Sequence, residues 1–299
     1  MELADALARI SFLRHLDGAS ATRLAGLTNV NYLLRADDGD VVVRLPGIGT
    51  SDYIDRRAEE IAAASTTRAG VNAEVLFFDA TDGLMVTRFV AGSTVMSPAL
   101  FGDLGAVARA AEVMRRLHHT ADPFRNEFTV APAIANFKAT LMERGAPLPE
   151  GCAEVERLAD AALARLAQHP VPLVPSHCDP LCENFLDTGD RMYLIDFEYA
   201  GNFDPMWDLG DFSVEASLSP AQDAVLLRAY FGQDPPADQG ARMVMYKALC
   251  DLMWAYWGIL QHINGNPVED FWAYGLNRFQ RCERLMQTSA YAEAVARLR

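Results

Sequence analysis

Long hydrophobic runs are missing from this sequence. The longest apolar stretch covers residues 252–260, whereas a membrane-spanning helix needs about 20 consecutive apolar residues. The N-terminus also lacks the apolar core of a secretion signal. We therefore expect a soluble protein with no stable membrane insertion.

Cysteine pairs and an excess of basic charge are missing as well. The five cysteines are scattered and odd in number, which is not typical of a disulfide framework and favours a reduced, cytoplasmic compartment. Cys178 and Cys182 lie near His177, yet no second Cys or His cluster completes the four ligands of a zinc site. The net charge of -14 argues against nucleic acid or an anionic membrane as the main partner. It suits a cationic substrate, although a solvated acidic surface explains it equally well.

One loop carries residues that are typical of phosphoryl transfer. His177, Asp179 and Asn184 follow the spacing H-x-D-x-x-x-x-N, in which the aspartate accepts the proton of an attacking hydroxyl and the asparagine reaches Mg²⁺. Asp196 follows 17 residues after Asp179 and stands where a D-F-G motif has its metal-binding aspartate. Each motif alone is equally well explained by a loop rich in capping residues. Together, in this order, they predict a kinase site that uses ATP and Mg²⁺.

The segment between the two motifs predicts a β-hairpin. Residues 184–186 and 192–195 have the pattern of short strands, and the Thr-Gly-Asp sequence at 188–190 is typical of the turn between them. A hairpin brings its two ends side by side. Asn184 and Asp196 therefore converge on one point, as a cation that prefers carboxylate and amide oxygens requires.

Residues 1–90 have the pattern of a small nucleotide-binding lobe with an antiparallel sheet and one main helix. Strands are predicted at 31–35, 41–45, 74–78 and 84–90, joined in pairs by turns that contain Asp-Gly. An amphipathic helix opens the chain.

The turn before the first of these strand pairs is a candidate phosphate site. Gly26, Thr28 and Asn29 can offer backbone N–H groups and a hydroxyl to phosphate oxygens. Because the G-x-G-x-x-G loop of protein kinases is absent, an ordinary hairpin turn is the alternative.

Arg44 ends a strand at the point where a kinase has its phosphate-binding lysine. A guanidinium, planar and always charged, would do that work here, and an edge arginine facing solvent is the alternative. The helix predicted at 53–68 carries Glu59 and Glu60, and one glutamate from this helix is expected to pair with Arg44. The residues alone do not choose between Glu59 and Glu60.

The end of the strand at 84–90 is the expected hinge between two lobes. Arg88, Phe89 and Val90 precede Ala91-Gly92 and would offer backbone groups to the adenine of ATP. A plain strand end is the alternative.

From residue 97 onward the sequence predicts a larger, mostly helical lobe, which at 91–299 would hold the catalytic and substrate-binding residues. Ser97-Pro98 is expected to begin one long helix that ends near His118, and another helix covers about 152–168. Ser219-Pro220 begins a helix that Gly232 can end. Two further helices are predicted, and they cover 240–263 and 267–298.

Several motifs together resemble the choline/ethanolamine kinase family over nearly the whole chain. They are Gly-Leu-Thr-Asn at 26–29, Val-Arg-Leu-Pro-Gly at 43–47, Asp-Arg at 55–56, Thr-Arg-Phe at 87–89, the loop at 177–184, Ile-Asp-Phe-Glu-Tyr at 195–199 and Trp-Ala-Tyr-Trp at 254–257. The family is similar to the aminoglycoside phosphotransferases. The resemblance implies an α+β, two-lobed, protein-kinase-like fold.

The resemblance also implies roles for individual residues. Asp179 would be the base, Asn184 and Asp196 would bind Mg²⁺, and Glu198 would be an auxiliary metal ligand. The family spacing after Asp55-Arg56 favours Glu59 as the partner of Arg44. The site for a cationic head group would be lined by Tyr199, Glu215, Trp254, Trp257 and Tyr274.

The chain departs from the eukaryotic relatives at Asp211, where they have asparagine, and at Pro220, where a further aromatic residue is expected; in both respects it resembles the compact bacterial members. No A-P-E motif follows Asp196, which argues against a protein substrate. Three functions remain open: a choline kinase, a kinase for ethanolamine or an aminoglycoside, and a non-catalytic binding module. Because Asp179, Asn184 and Asp196 are all present, the last is the weakest. The sequence does not indicate an oligomeric state.

Trp254 and Trp257 bear on the choice of substrate. Three residues apart on a helix, they share one face, and an ordinary aromatic core is the alternative. A quaternary ammonium has no N–H to donate, so ring faces recognise it. A primary ammonium calls for several acceptor oxygens, and among the candidates only Glu215 supplies a carboxylate. We therefore expect a preference for choline over ethanolamine.

Overall fold

A computed structural model of the protein describes residues 2–16, 18–24, 26, 29–36, 38–47 and 54–298. It has the predicted α+β architecture, with a small antiparallel sheet followed by a larger, mostly helical part. In the part of the chain that it describes, no helix is both long and apolar enough to cross a membrane.

The sheet has five antiparallel strands in the order β1-β2-β3-β5-β4. Their bounds are Thr22–Leu24 (β1), Val30–Leu34 (β2), Val41–Leu45 (β3), Val75–Asp79 (β4) and Leu84–Arg88 (β5). Valine-rich β3 is central, and its Val43 pairs with Tyr32 of β2 and Val86 of β5. Because side chains alternate along a strand, Val43 and Leu45 pack on one face while Arg44 projects from the other.

A helix lies on each side of this sheet. Helix α1 (Leu3–Arg9) and the residues after it bury Leu7, Ile10 and Leu13 against β3 and β5. Helix α2 (Arg56–Arg68) follows Asp55, whose carboxylate accepts hydrogen bonds from the second and third helical N–H groups. The predicted start at residue 53 lies outside the described residues, and the helix itself begins at Arg56.

Short strands frame the loop at 177–184. Strands β6 (Thr94–Val95), β8 (Phe185–Asp187) and β9 (Met192–Leu194) form one sheet, and β7 (Val174–Ser176) pairs with β10 (Gly201–Phe203). The antiparallel pairing of β8 with β9 confirms the predicted hairpin. Asn184 lies in a single 3-10 turn immediately before β8.

Eight helices between residues 104 and 297 build the larger part. They are α3 (Leu104–Thr120), α4 (Val130–Glu143), α5 (Cys152–Gln168), α6 (Pro205–Glu215), α7 (Pro220–Phe231), α8 (Ala237–Ile263), α9 (Phe271–Met286) and α10 (Ser289–Arg297). The predictions for α5 and for α7, with Ser219 as its N-cap and Gly232 at its end, are confirmed. Helix α8 is largely buried and packs against α4, α6, α9 and α10.

Two predicted helix boundaries are wrong. Helix α3 begins at Leu104 because Asp103 caps it, whereas Ser97 precedes a separate 3-10 turn at Leu100–Gly102. The helix predicted at 267–298 is two helices: Asp270 caps α9, and Thr288 caps α10 by accepting a hydrogen bond from the Tyr291 N–H.

Candidate active site

The loop at 177–184 is fixed to the helical part by one buried carboxylate. Asp208, in the first turn of α6, accepts hydrogen bonds from the His177 N–H at 2.7 Å and the Cys178 N–H at 2.9 Å. His118 of α3 donates through Nε2 to the same carboxylate at 3.0 Å, and its Nδ1 lies 2.8 Å from the Tyr230 hydroxyl. Although burial opposes it, the bond from His118 holds the pKa of Asp208 below its usual range. The loop therefore starts from a fully satisfied ionised anchor.

The backbone is strained at both chemical motifs. Cys178 and Asp196 each have φ of +68°, in the left-handed region that residues with a Cβ rarely adopt. Such conformations cost about 1–3 kcal/mol each and persist where the surroundings impose them. Here the surroundings are the bonds to Asp208 and the hairpin.

The hairpin joins the two motifs directly. The Ile195 N–H donates to the Asn184 carbonyl at 3.0 Å, and His177 Nε2 donates to the Ile195 carbonyl at 2.8 Å. The amide nitrogen of Asn184 donates to the Asp179 carbonyl at 3.2 Å. This bond uses the donor end of the Asn184 amide, so its oxygen is the end that could bind a cation.

Three carboxylates meet beside this loop. Oxygens of Glu59, Asp196 and Glu198 all lie within 4.8 Å of one another. Burial raises the pKa of Asp196, and burial together with the Asp196 charge raises the pKa of Glu198 to about 7. Such shifts indicate an acidic cluster that is short of positive charge.

Two arginines compensate the cluster in part. Arg44 pairs with Glu59 and lies 3.3 Å from Asp196, as the sequence predicts for a strand cation and its helix partner. Arg56, which the sequence argument did not assign, bridges Glu59 at 2.7 Å and Glu198 at 3.6 Å. Glu60 instead pairs with Arg57 on the outer side of α2.

The donor set fits Mg²⁺. Carboxylate oxygens of Asp196 and Glu198 and the amide oxygen of Asn184 are hard ligands of the kind that this ion prefers. The raised pKa of Glu198 adds to the fit, because a dication would restore the ionised form.

Asp179 lies between the acidic cluster and a second group of side chains. Burial, and then the negative charges of Glu215, Asp196 and Glu198, raise the pKa of its carboxyl well above the usual range. A carboxylate with a raised pKa is a stronger proton acceptor once it is ionised.

The predicted phosphate turn is only partly described. Thr28 lies outside the described residues. A Cβ on Gly26 would come within 2.5 Å of the Asn29 carbonyl oxygen, so the turn requires glycine there. The buried Asn29 side chain donates to Glu198 at 3.1 Å and accepts from the Gly47 N–H at 3.2 Å, so it contacts the acidic cluster.

Two of the three residues predicted to contact adenine use their backbone N–H groups for hydrogen bonds within the protein. The Arg88 N–H donates to the Glu74 carbonyl at 2.7 Å, and the Phe89 N–H donates to the Asp40 carbonyl at 2.9 Å. The Arg88 guanidinium binds the β2–β3 turn through the carbonyls of Asp38 and Gly39. The N–H groups of Arg88 and Phe89 are therefore engaged within the protein.

The four predicted aromatic residues form one continuous group. Ring centroids are 6.1 Å apart for Tyr199 and Trp254, 5.7 Å for Trp254 and Trp257, and 6.0 Å for Trp257 and Tyr274, all edge to face. Phe271, which the sequence argument missed, lies 5.4 Å from Trp257. Its position three residues before Tyr274 on α9 is the signal that could have identified it.

Glu215, the predicted acid of the head-group site, is paired within the protein. Arg278 of α9 binds its carboxylate, and the same guanidinium lies 3.4 Å from Asp251 and 4.8 Å from the centre of the Tyr274 ring. The sequence argument missed Arg278, although it follows Tyr274 by one helical turn.

These features define a small-molecule phosphotransferase with a protein-kinase-like fold. Residues 20–243 match the model of the phosphotransferase enzyme family, so the chain belongs to that family. Within it, the chain belongs to the choline/ethanolamine kinases. It is 44% identical to a choline/ethanolamine kinase family protein from Mesorhizobium loti, over 99% of this chain and 97% of the other, with a TM-score of 0.91.

Two more distant structures support the assignment. Choline kinase LicA from Streptococcus pneumoniae is 28% identical over 89% of this chain and 92% of its own, with a TM-score of 0.76. A LicA structure in complex with AMP is 26% identical over 89% and 90% of the two chains, with a TM-score of 0.71.

Proposed function

We propose that this protein is a choline kinase, which transfers the γ-phosphate of ATP to the choline hydroxyl and yields phosphocholine and ADP. The observation that carries the proposal is the group of rings formed by Tyr199, Trp254, Trp257 and Tyr274, since ring faces are what a quaternary ammonium binds. The negative charge of Asp179 contributes to the raised pKa of the Tyr274 hydroxyl, which supports the proposal that the base candidate lies near the same group of rings. The choline kinase LicA supports the same substrate.

In the proposed reaction, Asp179 accepts the proton of the choline hydroxyl while the hydroxyl oxygen attacks the γ-phosphorus and the bond to the ADP oxygen breaks. The raised pKa of Asp179 favours this proton transfer. The positive charge of a bound head group favours its ionised form beforehand.

Asn184, Asp196 and Glu198 would hold Mg²⁺, which when bound neutralises the charge of the phosphate oxygens. Arg44, kept in place by Glu59, would contact the phosphates from the sheet side. Asn29 would act by orienting Glu198. The turn at Gly26 and Thr28 would cover the phosphates.

Val90 would donate its N–H to the adenine, beside Arg88 and Phe89, and the AMP complex of LicA supports nucleotide binding in this family. The lobe boundary would lie here, with residues 1–90 as the nucleotide-binding lobe and 91–299 as the catalytic lobe.

We place the enzyme in the cytoplasm, where ATP is abundant and the five buried thiols stay reduced.

Ethanolamine is the second candidate substrate, because the family of the Mesorhizobium loti protein includes both activities in its name. An assay of ADP release with ATP, Mg²⁺ and choline, ethanolamine or an aminoglycoside separates the candidates. We expect the highest kcat/KM with choline. A higher value with ethanolamine or an aminoglycoside would reassign the substrate, and no amine-dependent ADP release would favour a binding module.

A further inference from the structure

Glu215, the acid of the head-group pocket, is paired with an arginine of α9. Glu215 ends α6 and lies beside one wall of the pocket, because the Arg278 guanidinium that binds it also lies 4.8 Å from the centre of the Tyr274 ring. Its negative charge contributes to the raised pKa of Asp179 and of Tyr274. Its side chain is 12% exposed. A free carboxylate in this position would accept hydrogen bonds from any ammonium group that entered the pocket.

Arg278 forms an ion pair with the Glu215 carboxylate. Its guanidinium, 7% exposed, binds Glu215, contacts Asp251 at 3.4 Å and lies over the Tyr274 ring at 4.8 Å. Asp251 is in turn held by Arg281, through a bond from Nε at 3.1 Å and a second from the guanidinium tip. Arg278 is therefore fixed on three sides, and it cannot leave Glu215 without losing the other contacts.

We infer that Arg278 is a specificity-determining residue, which makes the pocket select a quaternary over a primary ammonium by engaging Glu215. The inference rests on the proposed function. A primary ammonium needs acceptor oxygens for its three N–H groups, and Arg278 already donates to one oxygen of Glu215 and offsets its charge. A quaternary ammonium loses less, because ring faces hold it.

The substitution Arg278→Gln tests the inference. With Glu215 released, kcat/KM for ethanolamine should rise relative to that for choline, and the choline-to-ethanolamine ratio should fall about tenfold or more, the effect of one charge-assisted hydrogen bond. Arg284→Gln is the control. It removes an exposed arginine in the last turn of the same helix that pairs with neither Glu215 nor Asp251, so the ratio should stay at the wild-type value.

The double variant Arg278→Gln/Glu215→Gln tests whether Arg278 acts through Glu215. If Arg278 acts through Glu215, removal of the carboxylate should restore the ratio to near the wild-type value. A ratio that stays low in the double variant would overturn the inference.

Glu215→Gln alone covers the case in which Arg278→Gln does not fold. Because Arg278 already engages Glu215, we expect KM to rise by a similar factor for choline and ethanolamine. A selective loss of ethanolamine turnover would mean that Glu215 binds the primary ammonium directly, which contradicts the inference.

Different results would overturn the proposed function and the role of Arg278. Wild-type enzyme that phosphorylates neither amine would overturn the proposed function. Wild-type enzyme that prefers choline, with an unchanged ratio in folded Arg278→Gln, would overturn only the role of Arg278.

Discussion

Asp179 combines the geometry of a base with an unusually acidic neighbourhood. It is fixed through Cys178 and His177 to Asp208, and the negative charges around it make its ionised form costly. Its function is therefore separable from its contribution to stability, because the neutral amide of asparagine has the same size.

We predict that Asp179→Asn lowers kcat by about 10² to 10⁴, the usual contribution of a general base, while the protein stays folded. The measurement is steady-state ADP release with choline, together with thermal unfolding. Glu183→Gln, an exposed acid of the same loop, is the control. Turnover close to wild type in Asp179→Asn would remove this residue from the mechanism.

The surroundings of Asp211 oppose the ionisation of its carboxyl group. Burial, with the charges of Glu215 and Asp179, raises its pKa well above the usual range, and the Cys250 thiol donates to one of its oxygens at 3.0 Å. These surroundings favour the protonated form of the group, and a protonated carboxyl resembles an amide in size and polarity.

The raised pKa of Asp211 has a consequence for stability. Below about pH 4 the carboxyl is protonated in the folded and unfolded states alike. Above that value the unfolded state ionises while the folded state stays protonated, so wild type loses up to about 1.4 kcal/mol per pH unit until the folded pKa is passed.

We predict that Asp211→Asn keeps choline turnover and gains stability over wild type as the pH rises from 5 to 8. Urea unfolding at several pH values measures this difference, with the exposed Asp234→Asn as the control. A difference that shrinks with rising pH would mean that Asp211 is ionised and paired in the folded state.

Some site residues could be predicted from the sequence and others could not. Asn184 and Asp196 could, because a local hairpin determines their distance. Glu215 with Arg278 and Asn29 with Glu198 could not, since these contacts join elements 63 and 169 residues apart in the chain. Only the packed fold shows that a candidate binding residue is already engaged.

At the scale of elements, the register of α2 decides which glutamate reaches the site. Asp55 caps the helix and thereby turns Glu59 inward to Arg44 and Arg56, while Glu60 faces outward to Arg57. One residue along a helix rotates a side chain by about 100°.

We predict that Glu59→Gln raises KM for ATP and lowers kcat, because Arg44 and Arg56 both lose the ion pair with Glu59. Breaking such a buried pair typically costs about 3–5 kcal/mol, so unfolding should also occur at lower temperature. Glu60→Gln is the matched control and should behave as wild type. Equal effects of the two substitutions would contradict the assigned register.

Helix boundaries show where sequence patterns reach their limit. Ser97-Pro98 and Asp103 are both good caps, and only the packing of the 3-10 turn between them decides for Asp103. The break between α9 and α10 depends on one threonine, which a continuous apolar pattern hides. The sequence pattern singles out neither α4 nor α6, although both helices belong to the larger part.

At the scale of the whole molecule, two hydrophobic clusters underlie the architecture. One joins α1 to the five-stranded sheet, and the other fills the helical part. Ala62 of α2 and Val71 belong to the second cluster although they precede residue 90. The proposed boundary at residue 90 therefore describes the chain path, and the contact between the two parts extends back to α2.

The active site lies along this contact. Arg44, Arg56 and Glu59 come from the sheet side, and Asp196 and Glu198 come from the helical side. A movement of one part against the other would change these ion pairs directly. The aromatic group lies on the helical side alone, so substrate recognition can be tested without disturbing the nucleotide side.

The most direct test of the account is kcat/KM for choline and for ethanolamine in wild type and in Trp257→Leu. The choline cage predicts that wild type prefers choline. It also predicts that leucine lowers the choline-to-ethanolamine ratio by about 30-fold, which corresponds to about 2 kcal/mol for a desolvated cation–ring contact. Trp272→Leu, a half-buried tryptophan of α9 next to His262, is the control and should leave the ratio unchanged. An unchanged ratio in folded Trp257→Leu would mean that the aromatic group is core packing, and would contradict the account.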